Sequence, residues 1–266
     1  MAKNKLRYGL QLTNNSKTGP AFSLPRSITC IHKTPTCWRV CYGRGVRYQT
    51  EGHKQKREQN YRTAEFLLEN GGPELLAENI VHLIDQAKPS DWLTAQITKQ
   101  PTETPWTLRI HDVGDFYSIG YVRAWAIAAK KRPLCSLWFY TRSFLESQLF
   151  DALTELASEP NCQGWLSLDQ DNYDQGILAY TSSKGVWKIA LLQEQEELMP
   201  PNLIPALSEI VSAGELVSFP KHASGRHVPE IKAPNMTICP QVMGAYPLES
   251  NPAKARPCQA CAFCLP

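Results

Sequence analysis

Residues 107–141 read T-L-R-I-H-D-V-G-D-F-Y-S-I-G-Y-V-R-A-W-A-I-A-A-K-K-R-P-L-C-S-L-W-F-Y-T. Thr107–His111 reads as a strand, and D-V-G-D-F-Y as the loop that leaves it. Ser118 can cap a helix whose apolar face is Val122, Trp125, Ala126 and Ala129. Lys130, Lys131 and Arg132 suit the negative end of that helix, and Pro133 follows. Cys135–Thr141 reads as the next strand. The rhythm continues downstream. Ser143-Phe144-Leu145-Glu146 is a capping box, with Leu149, Leu153 and Leu156 continuing its helix. Gly164–Leu168, Val186–Leu192 and Leu216–Phe219 read as further strands. Strands alternating with helices imply parallel pairing through right-handed crossovers. The expected fold class is therefore α/β, with a parallel sheet forming a partial or full barrel over residues 1–220. A Cys-rich extension over 221–266 is expected to follow.

Upstream, Tyr8–Leu12 and Ala21–Leu24 are β-like runs split by the turn-rich N-N-S-K-T-G-P. His53–Asn70 is helical, with Tyr61, Ala64 and Leu68 on one face, and Gly71-Gly72 ends it. Pro73 opens a second helix, striped by Leu76, Ile80, Leu83, Ile84 and Ala87 and stopped by Pro89. Residues 89–106 read as an irregular excursion.

The residues straight after the predicted strands are polar and reactive: His111-Asp112 and Asp115, Arg142, Asp169 and Asp171, and Gln193. Ligand sites in parallel α/β folds form at the carboxyl ends of strands. One site facing one end of the sheet is expected. Asp112 and Asp115 have an alternative role as caps around Ser118.

Seven of the nine cysteines fall into two groups. Cys30, Cys37 and Cys41 are separated by six and three residues. Cys258, Cys261 and Cys264 are separated by two and two, with Cys239 upstream and followed by Pro240. Grouped thiolates hold metals or iron–sulfur clusters. Three thiolates can hold three irons of a 4Fe-4S cluster and leave the fourth open for a ligand such as S-adenosylmethionine. The competing reading at the front group is a zinc knot with His32 or His53 as fourth ligand. The rear group has the two-residue gaps and distant Cys-Pro of ferredoxin ligand runs, so a second four-thiolate cluster is expected there. Such a site can relay electrons, bind substrate or staple the C-terminus. Cys135 reads as a small core residue and Cys162 as a loop thiol.

The net charge of +3 hides an asymmetry: residues 1–62 hold thirteen Lys/Arg against two acids, Glu51 and Glu58. Such a segment can meet nucleic acid, or can be a solvated face beside an anionic cluster. The basic stretch Lys221–Lys232 reads as a solvated linker, a lid or a nucleic-acid contact. The chain has no run of 18 apolar residues, and its basic first residues do not read as a secretion signal. A cytoplasmic protein with reduced thiols and no membrane partner is expected.

The order of these landmarks resembles the phage and plasmid family called gene product 88. The resemblance rests on N-S-K at Asn15–Lys17, F-S-L-P at Phe22–Pro25, Thr29-Cys30, Cys37 and Cys41-Tyr42. It continues through R-I-H-D-V-G-D-F-Y at Arg109–Tyr117, Y-T-R-S at Tyr140–Ser143, L-S-L-D at Leu166–Asp169 and the closing Cys-Pro with its triple cysteine. That family implies little about activity. In layout the chain is also similar to radical S-adenosylmethionine barrels, whose common motif has gaps of three and two with an aromatic just before the last cysteine. Here Tyr42 follows it. The similarity implies that Gly114-Asp115 meet the cofactor's amino group, Arg142 its carboxylate, and Ser167 or Asp169 its ribose, with Tyr42 beside the cluster. It also implies radical modification of an unidentified substrate and a protein electron donor. Two rivals stand: a metal-stapled nucleic-acid-binding or regulatory protein, and a Mg²⁺- or Mn²⁺-dependent nuclease using Asp112, Asp115, Asp169 and Asp171.

Overall fold

The computed structural model describes residues 9–88, 105–183, 185–194, 216–221, 237–239, 258 and 261–266. The start of the Tyr8–Leu12 run, the excursion from 89 to 104, Lys221–Lys232 beyond its first residue, and Pro240 lie outside the described residues.

Six parallel strands form one sheet in chain order: β1 (Trp106–Ile110), β2 (Cys135–Thr141), β3 (Cys162–Leu168), β4 (Trp187–Glu194), β5 (Leu216–Lys221) and β6 (Thr237–Ile238). The chain is thus α/β with a parallel sheet. Every strand neighbours the next in sequence, and the described crossover helices pack on one face of the sheet. The register sets Arg109 beside Trp138, Tyr140 beside Trp165, and Ser167 beside Ala190.

Side chains alternate across the strands and so divide the sheet into two unlike faces. Leu108, Ile110, Leu137, Phe139, Leu166, Leu168, Ile189 and Leu191 are buried in the main core, together with the helices. These helices are Ile119–Lys131, Ser147–Ala157, Tyr173–Ser182 and the long helix Glu51–Gln86, which bends at Gly72 before Pro73. Close approach there depends on small residues. A Cβ on Gly164 would stand 2.5 Å from the Trp187 ring, and one on Gly176 would stand 2.4 Å from Leu168. The opposite face carries Arg109, Trp138, Tyr140, Trp165, Ser167 and Ala190. Cys239 and Phe263 of the C-terminal segment pack there against Trp165.

Several local expectations change. Ala21–Leu24 is not a separate strand but runs along the free edge of β1. Phe22 N donates to the Arg109 carbonyl at 3.0 Å, and Asp112 N to the Phe22 carbonyl at 2.8 Å. Ser118 does cap its helix, accepting from Tyr121 N at 3.3 Å. The Ser143–Glu146 capping box does not form. The Ser143 hydroxyl is committed to the Phe116 carbonyl at 2.6 Å, and the helix starts only at Ser147. Cys162 opens β3 and is buried in the core, so it is not a loop thiol. The helix Tyr173–Ser182 and strand β6 were not anticipated. No helix among the described residues is long and apolar enough to cross a membrane.

Candidate cluster and cofactor site

The spacing of the front cysteines becomes clear in the loop that carries them. Thr34 caps a short helix, Pro35–Val40, by accepting from Cys37 N at 3.0 Å, with Pro35 at its first position. The three-residue gap between Cys37 and Cys41 is one helical turn, which places the two side by side. The six-residue gap is the turn that returns the chain from Cys30, at the end of helix Arg26–Thr29, to that cap. The loop is bolted to the end of β3: Thr34 Oγ1 donates to Asp169 Oδ2 at 2.6 Å, and Asp171 Oδ2 accepts from Thr36 N at 2.8 Å.

Gly114 fits under this loop because it lacks a side chain. Its φ is +100°, and a Cβ would stand 2.7 Å from Leu24 Cβ and 3.0 Å from Thr29 Oγ1, next to Cys30. Asp115 is buried and accepts from Phe116 N at 2.8 Å, Thr141 Oγ1 at 2.7 Å and Arg142 N at 2.9 Å. It therefore ties the exits of β1 and β2 together and caps no helix. Burial pushes its carboxyl up against those donors. Arg142 donates from Nη2 to Asp169 Oδ2 at 2.9 Å. Burial disfavours its charge, but Cys37 and Asp169 hold it protonated. Asp112 accepts from Asn15 Nδ2 at 2.8 Å and from the Tyr48 hydroxyl at 3.0 Å, and pairs with Arg109 at 3.6 Å. The four candidate nuclease carboxylates thus each have donors of their own.

All nine cysteines are free thiols. Cys30, Cys37 and Cys41 lie near enough to repel one another electrostatically. Burial pushes the Cys30 and Cys37 thiols up, and Arg142 pulls both back. His32 instead faces Glu146 at 3.5 Å, and His53 packs edge-on to Tyr48.

The rear group docks onto the sheet face turned away from the helices. Cys258 N donates to the Lys17 carbonyl at 3.1 Å, and Lys17 Nζ to Cys239 Sγ at 3.6 Å. The Tyr140 hydroxyl donates to Cys264 Sγ at 3.0 Å, and Trp165 Nε1 to the Cys264 carbonyl at 3.1 Å. Burial pushes Cys258 up to about 11 and Cys264 up to about 12, with Cys239 and Cys261 adding to both.

The two groups, about two hundred residues apart in sequence, face one cavity of about 560 Å³. Its lining includes Cys30, Cys37, Cys41, Tyr42, Gly114, Asp115, Arg142 and Ser167, as well as Cys239, Cys258 and Cys264. Asp169 stands behind Arg142, and Cys261 is half-buried outside the lining. Among the described residues, no three His, Cys, Asp or Glu side chains close on one point as a single ion requires. A cluster binds each thiolate to a different iron, so its donors stand further apart than those of a lone ion.

Sequence reasoning gave Arg109, Trp138 and Tyr140 no role at the site. Arg109 lines the cavity that both thiol groups face. It donates to the Tyr42 hydroxyl at 2.9 Å and to the His111 carbonyl at 3.1 Å. Its guanidinium lies 5.1 Å from the Trp138 ring and 5.2 Å from that of Tyr140. The Tyr42 hydroxyl in turn donates to the Asp112 carbonyl. The signal was present as alternation: Arg109, Trp138 and Tyr140 occupy the strand positions that do not face the helices.

No solved structure matches the chain. It is similar to the Gene 88 protein of Mycobacterium phage L5, at 29% identity over 205 residues that cover 70% of this chain and 75% of the relative. The family model described as Gene product 88 matches residues 2–266, so the chain belongs to that family.

Proposed function

We propose that the chain is an iron–sulfur enzyme of radical S-adenosylmethionine type. The carrying observation is the convergence of three free thiols, Cys30, Cys37 and Cys41, with Gly114-Asp115 and Arg142 on one cavity at the carboxyl ends of sequential parallel strands. The order of the six strands also suits a partial barrel.

The donor set fits such a cluster. Three thiols would each hold one iron, and metal binding replaces the protons that burial otherwise retains on Cys30 and Cys37. A 4Fe-4S cluster with one open iron supplies, when reduced, the electron that cleaves the sulfonium of S-adenosylmethionine. The chain's own residues would do the rest. Arg142 would orient an anionic carboxylate, and the backbone at Gly114 and the Asp115 carboxylate would receive an ammonium group. Tyr42 and Ser167 line the same cavity and can orient the cofactor's remaining polar groups. Cys239, Cys258, Cys261 and Cys264 would hold a second four-thiolate cluster, with Tyr140 and Lys17 as donors to its sulfurs.

The test is oxygen-free reconstitution with iron and sulfide, then dithionite and S-adenosylmethionine, with 5′-deoxyadenosine as the readout. Formation of 5′-deoxyadenosine that disappears in Cys37→Ala supports the reading. Reconstituted, coloured protein that yields none refutes it.

A further inference from the structure

The segment from Arg26 to Arg62 contains nine Lys/Arg against Glu51 and Glu58, a net +7. A solvated face balancing the front cluster accounts for little of this. A 4Fe-4S core held by three thiolates carries about one negative charge. Most of the positive charge is therefore left over. It is also gathered at the cavity: Arg26, Lys33 and Arg47 line it, and Lys33 and Arg47 are exposed as well. Arg44, Lys54 and Arg62 extend the exposed charge along the same segment. Arg26 lies 3.8 Å from the half-exposed Trp38 ring, with Lys33 at 5.3 Å. The buried Nη1 of Arg26 has no hydrogen-bond partner among the described residues. The inner wall is aromatic, with Tyr42, Trp138 and Tyr140. Cations that track a phosphate backbone, with aromatic rings beside them, are the means by which proteins hold single-stranded nucleic acid.

We infer that the substrate is a single-stranded nucleic acid whose backbone lies over this basic rim and presents one nucleotide to the cavity. The inference rests on the enzymatic reading for what happens to that nucleotide, but the binding itself does not. A nucleotide still paired in a duplex cannot enter, so an unpaired strand is preferred.

The experiment is fluorescence anisotropy of the full chain with labelled 20-nucleotide DNA and RNA single strands and with the matching duplex, from 50 to 200 mM salt. If four of the exposed cations meet phosphates, the log–log salt slope is about −2.8, and affinity falls about fifty-fold over that range. The doubly reversed variant Arg44→Glu/Lys54→Glu, both exposed positions, should halve the slope and weaken binding at least tenfold while keeping the parent's circular dichroism. Unchanged affinity in that variant overturns the inference, as does failure of both single strands to bind at 50 mM salt. Duplex binding as tight as that of the single strand overturns it too. Strand binding without cofactor cleavage would refute the enzymatic reading alone, and cleavage without strand binding this inference alone.

Discussion

Gly114→Ala is the sharpest probe of how the sheet supports the front thiols. At φ +100° an alanine has backbone strain of about 1–2 kcal/mol that glycine escapes. Its methyl would also enter space held by Leu24 Cβ at 2.7 Å and the Leu24 carbonyl at 3.0 Å. Neither is the free end of a flexible side chain, so relief requires the backbone to move. Overpacking of that kind costs about 1–3 kcal/mol. The sum, about 2–5 kcal/mol, is a large share of the roughly 5–15 kcal/mol that stabilises a typical domain. In urea, with a slope of about 2 kcal/mol/M, the midpoint of metal-free protein should fall by about 1–2.5 M. The movement would not be spread evenly. The third crowded atom is Thr29 Oγ1, one residue before Cys30, so the front site should suffer before the rear one. If each site holds a 4Fe-4S cluster, as proposed, the parent should carry about eight iron atoms and the variant should approach about four. A midpoint within about 0.3 M of the parent, together with full iron loading, would refute the reasoning.

Other outcomes follow from the same geometry. Arg142→Ala strands the fully buried Asp169 without its ion partner and should cost about 3–5 kcal/mol in urea unfolding, whereas Arg142→Ala/Asp169→Asn should recover much of the loss. His111 is buried, and burial aided by Arg109 lowers it from 6.5 to about 3. Its neutral form therefore contributes stability that is whole above pH 6.5 and drains away as pH falls toward 3. The parent should lose up to about 1.4 kcal/mol per pH unit in that window. His111→Asn, a residue that tolerates the φ of 61° found there, should show a flatter acid limb in urea titrations at pH 7, 6 and 5. Gly164→Ala would press a methyl into the Trp187 ring and should lower stability by about 1–3 kcal/mol without changing iron content at either site.

The sheet was legible because its strands are short, apolar and evenly punctuated. Cys135–Thr141 was placed to the residue, and the break at Gly71-Gly72 before Pro73 is where the long helix bends. What failed did so because distant partners overrode local signals. Ser143 had the pattern of a cap, but a carbonyl from the preceding crossover took its hydroxyl. Tyr173–Ser182 carries Gly176 at its centre, a poor helix former, and is held because that glycine lets the helix sit against Leu168. The strand β6 is two residues long and has no periodicity to read. From sequence, Asp115 can be a helix cap or a cofactor ligand, and Asp169 a ribose contact or a metal ligand. In the fold Asp115 accepts from Thr141 and Arg142 at the exit of β2, and Asp169 accepts from Thr34 of the loop carrying the thiols, partners that lie far off in sequence.

The feature least visible in the sequence is that the two cysteine groups share one chamber, and the reason is physical. Sequential parallel strands with helices on one side leave the other side bare, and that side must be covered or occupied. Trp138, Tyr140 and Trp165 make it too apolar for open water, yet Arg109 in their midst needs polar partners. Both demands are met by bringing the chain ends together over it. The front loop supplies the Tyr42 hydroxyl to Arg109, and the rear segment supplies Cys264 to Tyr140 and Phe263 to Trp165. The Asn15–Lys17 hairpin joins the two covers, bonding to Asp112 on one side and to Cys258 on the other. Arg109 is therefore shared by both sites. Arg109→Met should disturb metal loading at both ends of the chain, whereas Arg142→Met should disturb the front alone. Equal losses at the two sites in both variants would argue against separate roles for the two arginines.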